Sequence, residues 1–134
     1  MTNAHDPIRI ERHLPHSVER VWRAVTEPRE LAQWFVAEAT WTPKLGETFE
    51  AFGTRGEITE LQAPRVFAWV YGIEHYRFEL TPEADGTRLV FTHAFNPDLG
   101  PREQHARGWQ AYFARLDVHL DGGYLSEEEA HAAL

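Results

Sequence analysis

The sequence predicts an α+β protein: a curved antiparallel sheet of about seven strands wrapped around a long C-terminal helix, with two short helices after the first strand. Three observations carry that expectation. From Ala37 to Phe95 apolar residues recur with a period of two, interrupted at short intervals by turn residues. After Pro101, Trp109, Tyr112, Phe113, Leu116 and Leu120 fall in one sector of a helix, with His105 one turn earlier. Between Ser17 and Phe35 two shorter apolar stripes have helical spacing.

The elements follow in order. Ile8, Ile10 and Leu14 share one face of an extended segment, with Arg12 in the same register. Ser17 is placed to cap a helix bearing Val18, Val21, Trp22 and Val25, and Pro28 suits the first turn of a second helix bearing Leu31, Trp34 and Phe35. Six strands are then expected near residues 37–42, 47–52, 56–62, 65–71, 75–81 and 87–95. Their connections are short enough to require antiparallel neighbours. Asp85-Gly86 is the clearest hairpin signal, and Gly53-Thr-Arg-Gly56 reads as another hairpin turn. The long helix is expected over about 102–120, closed by Gly122-Gly123, and Ser126 with Glu129 forms a capping box for a short helix in the tail.

At 134 residues the chain suits one domain, with a core at about 8–121 and a tail at 122–134. A net charge of −8 and the lack of a basic run argue against a nucleic-acid partner. No stretch is long and apolar enough for membrane insertion, and the polar start suggests a cytoplasmic protein. There is no cysteine, so thiolate chemistry and disulfides are excluded. Lys44 is the one lysine and sits in a turn-like segment; Ser17 and Ser126 are better explained as caps than as nucleophiles. Histidines, carboxylates, tyrosines and arginines remain for chemistry. His13 and His16 are split by Pro15, and the glutamates at 47, 50, 57 and 60 alternate as on a solvated face, so neither a metal nor a cofactor is expected.

A helix held in a curved sheet leaves space where aromatic residues converge. The candidates to line it are Trp69, Tyr71, Phe78, Phe91, Trp109, Tyr112, Phe113 and Leu116, together with Tyr76 and Phe95. These side chains either fill a core or surround a ligand.

The run from Ile10 to Phe35, Gly56-Glu-Ile-Thr-Glu-Leu-Gln-Ala-Pro-Arg-Val-Phe-Ala-Trp69, Asp85-Gly86-Thr-Arg-Leu-Val-Phe-Thr-His93, and Gly108-Trp109-Gln-Ala-Tyr-Phe-Ala-Arg-Leu116 together resemble a known family. It is the START-like (SRPBCC) superfamily, in the branch named after the activator of the ninety-kilodalton heat-shock protein ATPase. The resemblance covers residues 8 to about 121 and implies a helix-grip fold with a cavity between sheet and C-terminal helix. Because the superfamily shares no catalytic set, it implies no reaction.

His93, in register with Leu89, Phe91 and Phe95, is the leading polar candidate, with His105 and Arg12 as partners that could orient a ligand. The alternative is a structural His93 hydrogen-bonded to a neighbour. The expected function is binding of an apolar or aromatic small molecule or lipid-like ligand. Two alternatives stand beside it: a cyclase-like or hydrolytic enzyme using His93 or His105 as acid or base, and a chaperone-regulating interaction module. A chaperone partner and a homodimer are both compatible with the sequence.

Overall fold

The computed structural model describes residues 6–35, 44–51 and 53–132. Its strands are β1 (Ile8–Leu14), β2 (Thr48–Ala51), β3 (Thr54–Gln62), β4 (Val66–Tyr71), β5 (Glu74–Glu83) and β6 (Gly86–Ala94). Its helices are α1 (Val18–Thr26), α2 (Pro28–Trp34), α3 (Arg102–Leu120) and α4 (Glu127–Ala132), with a 3-10 turn at Pro97–Leu99 in the loop before α3. The described strands form one antiparallel sheet in the order β1-β6-β5-β4-β3-β2. The strand expected at 37–42 lies outside the described residues.

Chain order and sheet order agree from β2 to β6 because each connection is short. The β5–β6 hairpin turns at Ala84-Asp85, and Gly86 there takes a φ of 148°. β1 closes the sheet by pairing with β6, with Ile8 opposite His93 and Arg12 opposite Leu89. A register shift between Ile58 and Glu60 marks a bulge in β3, a feature that bends a strand and increases its twist.

One hairpin expectation is corrected. The turn uses Gly53, which has a φ of 79°, whereas Gly56 is buried inside β3. Gly56 lies between Phe49 on β2 and Tyr71 on β4, and a Cβ there would collide with the Phe49 ring and the Val70 carbonyl. The glycine makes room for a cross-strand ring, and Phe49 and Tyr71 lie parallel with centroids 6.3 Å apart.

Helix ends follow the capping residues. Ser17 Oγ accepts from the Arg20 amide at 3.2 Å, Pro28 opens α2, and Ser126 Oγ accepts from the Glu129 amide at 3.1 Å. The Gly122 and Gly123 amides donate to the carbonyls of His119 and Val118, which closes α3. The Arg115 guanidinium, buried on α3, donates to the carbonyls of Leu125 and Gln33 and so fastens the tail and the end of α2 to that helix.

The core lies between the concave sheet face and the helices. Cross-strand neighbours share a face, so the register defines two aromatic rungs. Trp69, Tyr76, His93 and Ile8 form one; Phe67, Phe78, Phe91 and Ile10 form the next. Against them α3 presents Trp109, Phe113, Leu116 and Leu120, all buried, and α2 contributes buried Leu31 and Trp34. The Trp34 indole donates to the Ala24 carbonyl at 2.8 Å, which satisfies its N–H and ties α2 to α1. Among the described residues no helix is long and apolar enough to cross a membrane.

Candidate binding site between the sheet and the long helix

The first aromatic rung is a ladder of flat side chains. Trp69 and Tyr76 stack at 4.9 Å, and Tyr76 and His93 stack at 4.3 Å. From the opposite side Trp109 packs on Phe91 at 4.2 Å and Phe35 on Trp109 at 5.0 Å. Tyr112 stands edge-on to Phe35 at 5.0 Å. Phe35, Tyr76 and Tyr112 are half-buried, whereas Trp69 and Trp109 beneath them are buried.

His93 is the polar centre of this arrangement and is 3% exposed. The Trp109 indole donates to His93 Nδ1 at 2.8 Å, and His93 Nε2 lies 2.9 Å from Glu74 Oε1. An indole N–H can only donate, so Nδ1 must accept and the ring proton belongs on Nε2, where it donates to Glu74. Both ring nitrogens are therefore occupied.

Glu74 opens β5 opposite Tyr71 and is itself buried. Its Oε1 also accepts from the Asn96 amide at 3.2 Å, and its Oε2 accepts from the Tyr76 hydroxyl at 3.2 Å. Burial pushes the carboxyl pKa upward, but the hydrogen bonds from His93, Asn96 and Tyr76 outweigh it and hold the group below its ordinary value. The same interaction acts in reverse on Tyr76: burial first, then the Glu74 charge, pushes its phenol far above the usual tyrosine range.

His105, in the first turns of α3, completes the cluster. Its ring lies 4.8 Å from Phe95 and 5.6 Å from His93, nearly perpendicular to the latter. Its Nε2 is buried and has no hydrogen-bond partner, alone in this respect among the described residues. Such an atom loses its water without compensation.

One potential ligand atom from each of Glu74, His93 and His105 lies within 4.8 Å of the others. The residue types suit a transition ion, but the hydrogen-bond pattern opposes one. Ligation through His93 Nε2 would send its proton to Nδ1, directly against the Trp109 N–H.

Trp69, Phe78, Phe91, Trp109, Phe113 and Leu116 are buried in the shared core; Tyr71 and Tyr112 are half-buried at its edge. His93 and His105 come together. Arg12 faces α3 as its register suggests, yet it stands opposite Leu89, four residues along β1 from the Ile8–His93 rung. There it lies over the Phe113 ring and donates to Asp117 at 2.8 Å, so it is not a partner of His93. Glu74, Trp34 and Phe35 belong to the surroundings of the site but are absent from the sequence-based set. For Glu74 a signal existed: the alternation that turns Tyr76 and Phe78 inward also turns residue 74 inward.

A separate surface groove of about 470 Å³ lies between the β1–α1 connection and the β5–β6 hairpin, lined by residues that include His16, Glu19, Glu83 and Asp85. It includes none of the predicted site residues.

The family model described as "Activator of Hsp90 ATPase homolog 1-like protein" matches residues 15–121. The chain belongs to this family. Among curated proteins none matches it significantly in sequence. Solved structures with the same fold include protein MLL2253 from Mesorhizobium loti, 23% identical, with 89% of this chain and 99% of that chain aligned at a TM-score of 0.74. CalU16 from Micromonospora echinospora is 25% identical over 95% of this chain and 84% of its own, with a TM-score of 0.73. The Aha1 dimer from Colwellia psychrerythraea is 19% identical over 87% and 97%, with a TM-score of 0.70. Membership of the activator-homologue family accounts for the helix-grip architecture, in which a cavity between sheet and helix is common. It does not specify a ligand or a reaction.

Proposed function

We propose that this protein binds an apolar or aromatic small molecule between the concave sheet face and α3. One observation carries the proposal: half-buried Phe35, Tyr76 and Tyr112 surround buried Trp69 and Trp109, so a continuous aromatic surface reaches from the core toward solvent. Flat rings give a ligand large contact area at low entropic cost, and burial of each apolar group contributes about 25 cal/mol per Å². Trp69, Tyr71, Trp109 and Tyr112 are the proposed apolar contacts, with His105 at the polar end. Phe78, Phe91, Phe113 and Leu116 support them from within the core.

Binding without turnover fits the polar groups better than catalysis by His93. A general acid or base must exchange its proton with a substrate, and both His93 nitrogens are engaged by protein groups. Of the two rings, only His105 has a buried nitrogen without a partner among the described residues, so an enzymatic role would fall to His105.

Native mass spectrometry of freshly purified protein is the test. Retention of a small organic molecule that is released on denaturation, and whose retention falls in Trp69→Ala, supports the proposal. A bare protein mass, together with no heat of binding for naphthalene or naphthol, would refute it.

A further inference from the structure

Glu74 and His105 impose opposite demands on anything that reaches them. Glu74 is 6% exposed, and its only basic partner within ion-pair distance among the described residues is His93. Because the Trp109 N–H occupies His93 Nδ1, that imidazole supplies a hydrogen bond and not a positive charge. The cluster therefore carries a buried negative charge. A second anion beside it would be repelled in a medium of low dielectric. His105 Nε2, by contrast, is a buried nitrogen still in need of a partner. Its neighbours on the apolar side are the Phe95 and His93 rings.

From this pairing we infer that the site selects neutral hydroxyl-bearing aromatic ligands, phenols in chemical terms, and rejects the corresponding carboxylates. A hydroxyl is both donor and acceptor, so it can satisfy His105 Nε2 in either tautomer of that ring. Among the described residues Glu74 Oε2 accepts only from the Tyr76 hydroxyl and has capacity for a further donor. A bare hydrocarbon leaves His105 Nε2 unpaired; a carboxylate places a like charge near Glu74. This inference rests on the binding site proposed above and adds the polar selectivity to it.

Isothermal titration calorimetry at pH 7 with naphthalene, 2-naphthol and 2-naphthoate separates the two. The expected order is naphthol tightest, by about tenfold or more over naphthalene, which is the range of one recovered buried hydrogen bond. Naphthoate is expected to bind more weakly than naphthol by at least about tenfold. His105→Phe keeps a ring against Phe95 and should narrow the advantage of naphthol over naphthalene. Glu74→Gln removes the charge with little change of shape and should narrow the gap between naphthoate and naphthol. Equal binding of all three compounds would overturn the selectivity and leave the binding site standing, whereas binding of none would remove both. Preferred binding of naphthoate would overturn the charge argument. Binding of zinc chloride alone, lost in His105→Phe, would show that the unpaired nitrogen serves a metal and would overturn the assignment to a hydroxyl.

Discussion

The Trp109 indole N–H donates to His93 Nδ1 at 2.8 Å across the contact between α3 and β6. This bond connects the last long helix to the sheet and determines which imidazole nitrogen carries the proton. It is also what turns Glu74 from one half of an ion pair into an anion solvated by hydrogen bonds.

Trp109→Phe should free His93 Nδ1 while keeping a ring in the core. Leaving one buried nitrogen unpaired is expected to cost about 1–3 kcal/mol, and Trp109→Ala, which also opens a cavity, about 3–5 kcal/mol. Urea denaturation checks the magnitudes. Histidine-selective nitrogen NMR checks the cause: His93 should be in the Nε2–H form in both proteins, because Glu74 can only accept, and its Nδ1 should lose the shift of a hydrogen-bonded acceptor in Trp109→Phe.

Acid should destabilise the protein partly through Glu74. Its folded pKa lies below its ordinary value of 4.5, so the stability it contributes is present above 4.5 and is lost as pH falls through the lower folded value. Glu30 behaves in the same direction: burial raises its pKa, but hydrogen bonds from His119 and Arg20 outweigh this. Glu74→Gln should therefore flatten, without abolishing, the fall in urea midpoint below pH 4.5. An unchanged slope would mean that Glu74 is not held as an anion.

Gly56→Ala tests the packing of the sheet edge. The added methyl would meet the Phe49 ring and the Val70 carbonyl, and the ring alone can move away. A loss of about 1–3 kcal/mol is expected, the usual cost of overpacking. In Phe49→Leu the same alanine should cost less, because the colliding ring is gone; equal costs would place the problem in the backbone.

Arg12→Met should change little. The Arg12–Asp117 pair is half-exposed and such pairs contribute about 0–1 kcal/mol, while the methionine can still cover Phe113. Binding of naphthol should be unaffected as well. A loss of binding as large as that caused by His105→Phe would return Arg12 to the site.

Local pattern made the fold legible: period-two alternation gave β3 to β6, serine caps and Pro28 gave the helix starts, and one stripe gave the buried side of α3. The site was less so, for reasons that can be named. Arg12 has the inward register, but only the pairing of Ile8 with His93 shows that it lies far along the strand from that histidine. Glu74 follows a glycine turn, where a carboxylate usually meets water, and its burial depends on His93, Asn96 and Tyr76 arriving from other positions. Phe35 reads as part of a short core stripe, and its contacts with Trp69 and Trp109 arise only when α2 docks over the sheet. Gly56 resembles a turn glycine until Phe49 is seen to cover it.

In the proposed site His93 is a fixed structural element and His105 the polar group offered to a ligand. Histidine nitrogen NMR at pH 7 during titration with 2-naphthol tests this assignment most directly. On binding, His105 Nε2 is expected to shift while His93 retains its Nε2–H form and its bond to Trp109. A spectrum in which His93 loses that form while His105 stays unchanged would contradict it.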